Sequence, residues 1–265
     1  MQFGLNGMHH PDIMQQLRDI GYTRLRVGIH TGESIDQVRY VINSGFRPLV
    51  IIKDATQVRE HRDVLWGCDL ELWNEPDGAV DGVISPAEYA KMVPDFVGAC
   101  EEVGATPWIG SISNLHKKGL SWLDDMLWET TAVFTTFNVS VHRYPKGKSW
   151  KTPHEGFASR EAEVRALKSI IGDVKWACTE FGYHTAPQLI HKWIPIKLWS
   201  WRWTDAEVAE QVRKEWTFWQ EQGAEFACLY QVTDGPTDTR EDRFGVVRMD
   251  KTLKPSALSI QQVLT

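Results

Sequence analysis

The stretch RLRVGIH, residues 24–30, decides the fold because its two faces differ in chemistry. In an extended strand its apolar residues, at positions 25, 27 and 29, share one face, while Arg24, Arg26 and His30 share the other. A strand of a closed barrel divides in this way, because helices cover its outer face and its inner face points into the barrel. The pattern therefore predicts a barrel whose interior carries charged side chains.

Short apolar runs recur eight times along the chain and alternate with amphipathic helical patterns. Strands joined by helical crossovers are parallel, and 265 residues is an ordinary length for one (β/α)8 TIM barrel. A doubly wound open sheet is the main alternative, but it usually has fewer strands. No linker, repeat or composition shift marks a second domain, so residues 1–265 are predicted to form a single α/β domain with the (β/α)8 fold. The predicted strands are 3–8, 24–30, 48–53, 69–75, 107–113, 137–144, 174–182 and 225–233, and the predicted helices are 11–20, 34–44, 56–65, 86–103, 120–130, 160–171 and 205–222.

Composition argues against several kinds of partner. The chain is 42% hydrophobic and 24% charged, as is ordinary for a globular protein, and it has no apolar run of the roughly 18 residues that a membrane span needs. Its net charge of -6 argues against nucleic acid, since phosphate recognition needs a concentrated basic surface. We therefore expect neither a membrane nor a nucleic acid as a partner, and we expect a monomer.

The N-terminus and the cysteines indicate the compartment only in part. MQFGLNGMHH has neither the basic nor the apolar region of a signal peptide, which leaves an intracellular protein, a phage product or a secreted enzyme without its leader. The four cysteines are widely spaced, with no CxxC pair, and three of them lie in or beside apolar strand-like runs. We predict reduced cysteines in the core rather than disulfides.

Ionisable side chains recur on the inner faces of other predicted strands. Alternation in DLELWNE, residues 69–75, places Glu71 and Glu75 on one face, and FNVSVHRY, residues 137–144, does the same for His142 and other polar residues. Glu71 lies one residue pair deeper than Glu75. We expect it to form a structural ion pair with Arg24 or Arg26.

Predicted strand 174–182 continues the pattern, because alternation places Trp176, Cys178 and Glu180 on one face. Burying so many unpaired charges is costly, so the inward ionisable groups must pair with one another or line a wet cavity. In a barrel of this kind that cavity lies at the C-terminal ends of the strands, where the connecting loops build active sites. Glu75, Tyr144 and Glu180 fall near those ends.

Two carboxylates at the mouth of one barrel suit the hydrolysis of a glycosidic bond. One must be protonated to help the leaving oxygen depart, and the other must be ionised to attack the anomeric carbon. Glu75 and Glu180 lie on the fourth and seventh predicted strands. Across a barrel mouth, carboxylates at such positions can approach the roughly 5–5.5 Å that a retaining enzyme needs.

Neighbouring residues acquire roles around this pair. Asn74 could hydrogen-bond to the sugar 2-hydroxyl, a contact that strengthens in the transition state. Arg26 and Tyr144 could keep Glu180 ionised, because a nearby cation or hydrogen-bond donor favours the charged form of a carboxyl group. His142 could serve the acid or a substrate hydroxyl. Otherwise the arginine, the histidine and the tyrosine form a buried hydrogen-bond network.

Four motifs, on the expected strands, resemble those of one group of enzymes. WNEP, residues 73–76, closes the fourth predicted strand and TEFG, residues 179–182, closes the seventh, while VHRY and RLRVG lie on the sixth and the second. Over essentially its whole length the chain resembles the clan of retaining glycoside hydrolases that includes the family 5 cellulases and mannanases. The resemblance implies that Glu75 is the acid/base, that Glu180 is the nucleophile, and that one catalytic domain acts without an appended binding module.

The resemblance is incomplete where sugar specificity is decided. Many members of the clan place a tryptophan platform at the end of the eighth strand, whereas Tyr230 and Gln231 stand there in this chain. Four of the 13 tryptophans crowd into HKWIPIKLWSWRWT, residues 191–204, which suggests flat aromatic surfaces for a ligand; otherwise this segment packs its own small core or contacts another copy. Further candidate substrate contacts are His30, His184, Trp201 and Trp203.

The sequence as a whole predicts a retaining glycoside hydrolase with a carbohydrate substrate, and endo-β-1,4-glucanase or mannanase activity is the first expectation. The alternatives are a β-xylosidase- or exopolysaccharide-hydrolase-type enzyme of the same clan, a transglycosylase, and a non-catalytic carbohydrate-binding barrel. A metal-dependent hydrolase is disfavoured, because the nine histidines include no H-x-H pair and the adjacent His9 and His10 would point to opposite sides of a strand. We expect neither a metal nor a cofactor.

Overall fold

The chain folds into a closed barrel of eight parallel strands. The computed structural model describes residues 1–7, 9–29, 34–78, 82–130, 137–145, 149–186, 188–189, 200–201, 203–237 and 239–264. Around the barrel the strands follow chain order and the last closes on the first, so the predicted (β/α)8 barrel is confirmed. The barrel strands are β1 (Gln2–Asn6), β2 (Arg24–Gly28), β3 (Arg47–Ile52), β4 (Asp69–Leu72), β5 (Thr106–Ile112), β6 (Asn138–Arg143), β7 (Trp176–Phe181) and β10 (Phe226–Leu229), while β8 (Gln188–Leu189) and β9 (Ser200–Trp201) form a separate antiparallel pair.

Helices connect the barrel strands and cover their outer faces. They are α1 (Pro11–Ile20), α2 (Ile35–Asn43), α3 (Ala55–Glu60), α4 (Arg62–Leu65), α5 (Pro86–Glu102), α6 (Lys117–Glu129), α7 (Arg160–Ile171), α8 (Asp205–Glu221) and α9 (Gln261–Leu264). Capping boxes begin α5, through Ser85 and Glu88, and α8, through Thr204 and Glu207. The predicted helix 56–65 is divided at His61 into α3 and α4. Among the described residues, no helix has both the length and the apolar composition needed to cross a membrane.

Two apolar layers stabilise the barrel. The larger layer lies between strands and helices and includes the outward residues of β2, Leu25 and Val27. All four cysteines are buried and free, as predicted. The smaller layer fills the barrel interior with Leu49, Trp108, Ala177, Phe226 and Cys228.

Paired charges close the N-terminal end of the barrel interior. Arg24 Nη1 lies 2.5 Å from Asp69 Oδ2, and Arg47 Nε lies 2.7 Å from the same oxygen. The indole Nε1 of Trp108 donates to Asp69 Oδ1 at 3.2 Å. The charged groups at this end are therefore paired with one another within the fold. The opposite end of the barrel is left as the place for a catalytic site.

The strand that carries Glu71 is shorter than predicted. β4 ends at Leu72, after which Trp73 and Glu75 adopt φ angles of 64° and 46°. Left-handed backbone at a non-glycine residue costs about 1–3 kcal/mol and is concentrated at functional sites. The predicted alternation through residue 75 is therefore wrong, and Glu75 reaches the barrel mouth on a strained turn.

An extra residue in β7 redirects Glu180. The pairing of β7 with both neighbouring strands shifts register after Cys178, so that Thr179 is inserted as in a β-bulge. Trp176 and Cys178 pack in the outer core, whereas Thr179 Oγ1 points inward and donates to Glu71 Oε1 at 2.8 Å. The predicted common face for Trp176, Cys178 and Glu180 is therefore wrong, because the bulge changes the direction of the side chains that follow it.

Candidate active site

A cavity of about 710 Å³ opens at the C-terminal ends of the barrel strands. A second cavity, of about 760 Å³, lies at the opposite end among the paired charges of Arg24 and Asp69. The first cavity is the candidate active site, because ionisable groups from several strands converge on it. The predicted site residues that line it are Arg26, Asn74, Glu75, Tyr144, Glu180, Tyr230 and Gln231.

Glu75 is held at the rim of this cavity by its backbone and by its carboxylate. Its backbone N–H donates to the carbonyl oxygen of Ser111 at 3.1 Å, and its Oε1 lies 3.0 Å from His142 Nδ1. His142 is fully buried, and its Nε2 lies 3.1 Å from Ser111 Oγ. Because both ring nitrogens are engaged, the imidazole has one orientation and presents a fixed partner to the carboxylate.

Glu180 faces two donors. Arg26 Nη1 lies 3.0 Å from Glu180 Oε2, and the Tyr144 hydroxyl donates to Oε1. A guanidinium and a phenol in these positions fix the two oxygens of the carboxylate. The side chain is 12% exposed, which leaves it accessible from the cavity. A carboxylate that is held in place and reached from the cavity is suited to nucleophilic attack.

The two carboxylates lie close together. One oxygen of Glu75 and one of Glu180 lie within 4.8 Å of each other. His142 Nδ1 is near both, at 3.0 Å from Glu75 Oε1 and 3.7 Å from Glu180 Oε2. Carboxyl groups are about 5–5.5 Å apart in retaining glycosidases and roughly 6.5–9.5 Å apart in inverting ones. The two carboxylates are close enough for both to contact one bond of a bound molecule.

Arg26 joins these groups to the barrel interior. Its Nε lies 2.5 Å from Glu71 Oε2, so Glu71 forms the predicted ion pair with Arg26 rather than with Arg24. Its Nη1 also donates to Asn6 Oδ1 at 3.1 Å, and its Nη2 donates to Asn74 Oδ1 at 2.8 Å. One buried guanidinium therefore orients both the second carboxylate and the predicted sugar-binding amide.

Opposing effects set the pKa values of Glu75 and His142. Burial alone would raise the pKa of Glu75, but the hydrogen bond and charge of His142 outweigh it and hold the pKa below the ordinary value of 4.5. Burial alone would lower the pKa of His142, but the charge of Glu180 and the hydrogen bond to Glu75 raise it above 6.5. Between these values the pair carries one proton, which rests on the imidazole.

We expect this pair to stabilise the folded protein most between about pH 4.5 and 6.5. The contribution of His142 is complete below pH 6.5 and is lost as the pH rises through its raised pKa. The contribution of Glu75 is complete above pH 4.5 and is lost as the pH falls through its lowered pKa. We compare the margin by which the Tm of the wild type exceeds that of Glu75→Gln at two pH values. This margin should be about 2 °C larger at about pH 5.5 than at about pH 8.5. A margin that is equal at both pH values, or larger at the higher one, contradicts the assignment.

Other predicted contacts lie away from these groups or outside the described residues. His30, the side chain of Trp201 and residues 190–199 fall outside them. Trp203 lines a separate cavity of about 510 Å³. His184 packs edge-on against Phe244, with ring centroids 5.2 Å apart, and burial lowers its pKa to about 4. His184 is therefore neutral near pH 7, and its ring contacts Phe244, which lines the cavity.

The structure adds residues that the sequence pattern did not single out. Asn6 and Ser111 hydrogen-bond to Arg26. Thr179 hydrogen-bonds to Glu71, the ion-pair partner of Arg26. Phe244 lines the cavity wall. Asn6 is a polar residue at the end of the first strand, and this position could have indicated a residue of the site. Ser111 has φ 39° beside a positive-φ glycine, and Phe244 lies in a late loop, so neither carries a periodic signal.

No protein-family model matches the sequence, and no curated relative matches it either. The structure is similar to a family 39 glycoside hydrolase from Bacteroides cellulosilyticus, with a TM-score of 0.71 and 16% identity over 98% of this chain and 63% of the other. The chain thus spans about 63% of the length of that enzyme.

Two further solved structures match along nearly the whole of both chains. An endo-β-1,3-glucanase of family GH128 from Sorangium cellulosum has a TM-score of 0.63 and 13% identity, with 98% of each chain covered. A triple mutant of an endo-β-1,4-glucanase from Xanthomonas axonopodis has a TM-score of 0.65 and 11% identity, with coverage of 100% of this chain and 99% of the other. At such identities the similarity shows the fold alone. These neighbours are glycoside hydrolases built on the same barrel, and the predicted clan and family stay predictions.

Proposed function

We propose that this protein is a retaining β-glycoside hydrolase in which Glu75 is the acid/base and Glu180 is the nucleophile. The observation that carries the proposal is the pair of carboxylates at the barrel mouth, with oxygens within 4.8 Å. A separation this short supports direct attack on the sugar, because an inverting enzyme needs about 6.5–9.5 Å between its carboxyl groups to hold a water. The glycoside hydrolases among the structural neighbours support the same class of reaction.

In the first step Glu180 forms a covalent glycosyl ester. Its carboxylate attacks the anomeric carbon, the bond from that carbon to the leaving oxygen breaks, and the proton of Glu75 passes to the leaving oxygen. Arg26 and Tyr144 hold the two oxygens of Glu180 in position for this attack. Asn74, oriented by the same guanidinium, is placed to bind the 2-hydroxyl of the reacting sugar.

The proton that Glu75 donates is supplied through its contact with His142. Below the raised pKa of His142 that proton lies on the imidazole of the resting site, because the pKa of Glu75 is lowered. A bound sugar removes water from a side chain that is 15% exposed, and the loss of water favours the neutral carboxyl group. The proton then crosses the 3.0 Å hydrogen bond from His142 Nδ1 to Glu75 Oε1.

In the second step water attacks the anomeric carbon of the ester. Glu75 accepts a proton from this water, and the bond between the anomeric carbon and Glu180 breaks. Two displacements at one carbon restore its original configuration. The first product formed from a β-glycoside is therefore the β-anomer.

A panel of β-glycans tests this function. We propose β-1,4-linked glucan or mannan as the substrate, and the endo-β-1,3-glucanase among the neighbours adds β-1,3-glucan to the panel. Released reducing ends identify the substrate, and NMR of the first seconds of reaction identifies the anomer. Initial release of the α-anomer would show inversion and overturn the mechanism.

Removal of divalent metals should leave the activity unchanged. Three side chains of the site each offer one atom that could bind a metal ion. These atoms, from Glu75, His142 and Glu180, lie within 4.8 Å of one another. The Arg26 guanidinium, 3.0 Å from Glu180, opposes a second cation there. Treatment with EDTA and dialysis should therefore change kcat by less than about twofold. A loss that Zn²⁺ or Mn²⁺ reverses would instead assign these residues to a metal.

A further inference from the structure

A second group of buried charges lies behind the catalytic residues, between the barrel and the helices. These residues come from the end of β6, the loop after it, the first turn of α7 and the middle of α8. They contribute two guanidinium groups and two carboxylates, so their formal charges balance. We call them the outer network: Arg143, His154, Arg160, Glu163 and Glu215, each at most 2% exposed.

Each carboxylate of the outer network has donors from two elements. Arg143 Nε donates to Glu163 Oε2 at 3.0 Å, and Arg143 Nη1 lies 3.6 Å from Glu215 Oε1. Arg160 Nη2 donates to Glu215 Oε2 at 2.6 Å. Glu163 Oε1 accepts the backbone N–H of His154 and lies 3.2 Å from its Nδ1.

The outer network is attached to the segment that follows β6 and to the segment that follows β7, the strand that carries Glu180. His154 Nε2 donates to the backbone carbonyl oxygen of Tyr144 at 3.2 Å. The hydroxyl of Tyr183, three residues beyond Glu180, donates to Glu215 Oε1 at 2.7 Å. The network therefore holds Tyr144, whose hydroxyl contacts Glu180, and also the segment that directly follows Glu180.

Stability alone does not explain so many buried ionisable groups. Removing ion pairs from water costs about as much as their attraction returns, and apolar side chains of equal volume often stabilise a fold equally well. Hydrogen bonds and ion pairs that join β6, the loop after it, α7 and α8 do, however, restrict how these elements sit against one another. Arg143 points outward between His142 and Tyr144 in the chain, so its contacts fix the backbone that carries both inward groups.

We propose that the outer network positions Tyr144 against Glu180 and thereby sets the rate of the chemical step. This inference rests on the proposed retaining mechanism. His154 and Glu163 are then positioning residues, because they lie outside the cavity and act through the backbone of Tyr144.

His154→Phe tests the attachment, because it keeps a ring in place, removes the donor to Tyr144 and leaves Glu163 paired with Arg143. We expect kcat to fall about tenfold and KM to change by less than about twofold, since a small displacement of reacting atoms slows chemistry more than binding. His154→Gln, which retains a donor, should recover most of the rate. The matched control is Glu210→Gln, which removes an ion-paired carboxylate from the exposed face of α8 and should not change kcat.

A double-mutant cycle separates positioning from general destabilisation. Tyr144→Phe removes the hydroxyl that contacts Glu180. In that background His154→Phe should cause no further loss of kcat, because the contact that it positions is already absent. Losses that multiply, or wild-type kcat in folded His154→Phe, overturn the proposal. If His154→Phe does not fold, Glu163→Gln enters the same cycle.

A crystal structure of His154→Phe gives a result that does not depend on activity. We expect the Tyr144 hydroxyl to move away from Glu180, and a structure in which their contact persists overturns the inference. Wild-type protein that is inactive on every glycan of the panel would contradict the proposed function. If the wild type is active and the losses of kcat in the double-mutant cycle multiply, only the positioning role is contradicted.

Discussion

Replacing Glu180 with alanine is expected to lower kcat by roughly 10⁵-fold, the scale of loss that follows removal of a covalent nucleophile. The shortened side chain cannot form the glycosyl ester, and Glu75 is held on its own side of the site by His142. Added azide should restore turnover, because a small anion can occupy the space of the missing carboxylate and attack the same carbon. The expected product is a glycosyl azide of inverted configuration, identified by NMR.

The matched control for this experiment is Glu225→Ala. Glu225 lies at the opposite end of the barrel, where its half-exposed carboxylate is 3.9 Å from Lys175. The variant should keep the kcat of the wild type and show no response to azide. Substantial activity of Glu180→Ala on the natural substrate without azide would place the nucleophile at another residue.

Much of the site follows from the period of an extended strand. In β2, alternation correctly separates Leu25 and Val27, which pack against the helices, from Arg24 and Arg26, which point inward. The same rule places Glu71 beside Arg26. These predictions succeed because an extended backbone fixes the direction of its side chains independently of the conformation of the loops.

The same rule fails where the backbone is not extended. Trp73 and Glu75 have left-handed backbone although neither is a glycine, and Thr179 is an extra residue in β7. Both departures depend on tertiary contacts, such as the hydrogen bond from the Glu75 N–H to Ser111, so strand periodicity does not reveal them. The two glutamates are identified from sequence through motif and strand order, which do not depend on side-chain direction.

Contacts between distant loops are the other part that periodicity misses. Phe244, which follows the short helical turn Glu241–Arg243, packs edge-on against Tyr144 and Tyr230, with ring centroids 5.7 Å and 5.4 Å away. These three rings form an aromatic wall beside the carboxylates. From sequence, Tyr230 and Gln231 are predicted to stand where many members of the clan that the chain resembles have a tryptophan platform. The structure therefore adds Phe244 to the two tyrosines that the sequence had already indicated as site residues.

Replacing Glu75 with alanine should slow substrates according to their leaving groups. For an unactivated glycan we expect kcat to fall about 10²–10⁴-fold, the range that a positioned general acid contributes. A dinitrophenyl β-glycoside should keep a fast first step, because its leaving group departs without a proton. The ester on Glu180 should then accumulate, since no base activates water, and the phenol should appear as a burst followed by slow turnover.

Mass spectrometry of the quenched burst checks for the ester on Glu180, and azide distinguishes the two carboxylates. In Glu75→Ala, azide should enter from the side of the missing acid/base, cleave the ester and give a glycosyl azide of retained configuration. In Glu180→Ala it enters from the opposite side and gives the inverted product. Opposite configurations from the two variants would assign each carboxylate to one face of the sugar. Equal losses of kcat on activated and unactivated substrates would contradict an acid role for Glu75, because only the unactivated substrate needs a proton from Glu75.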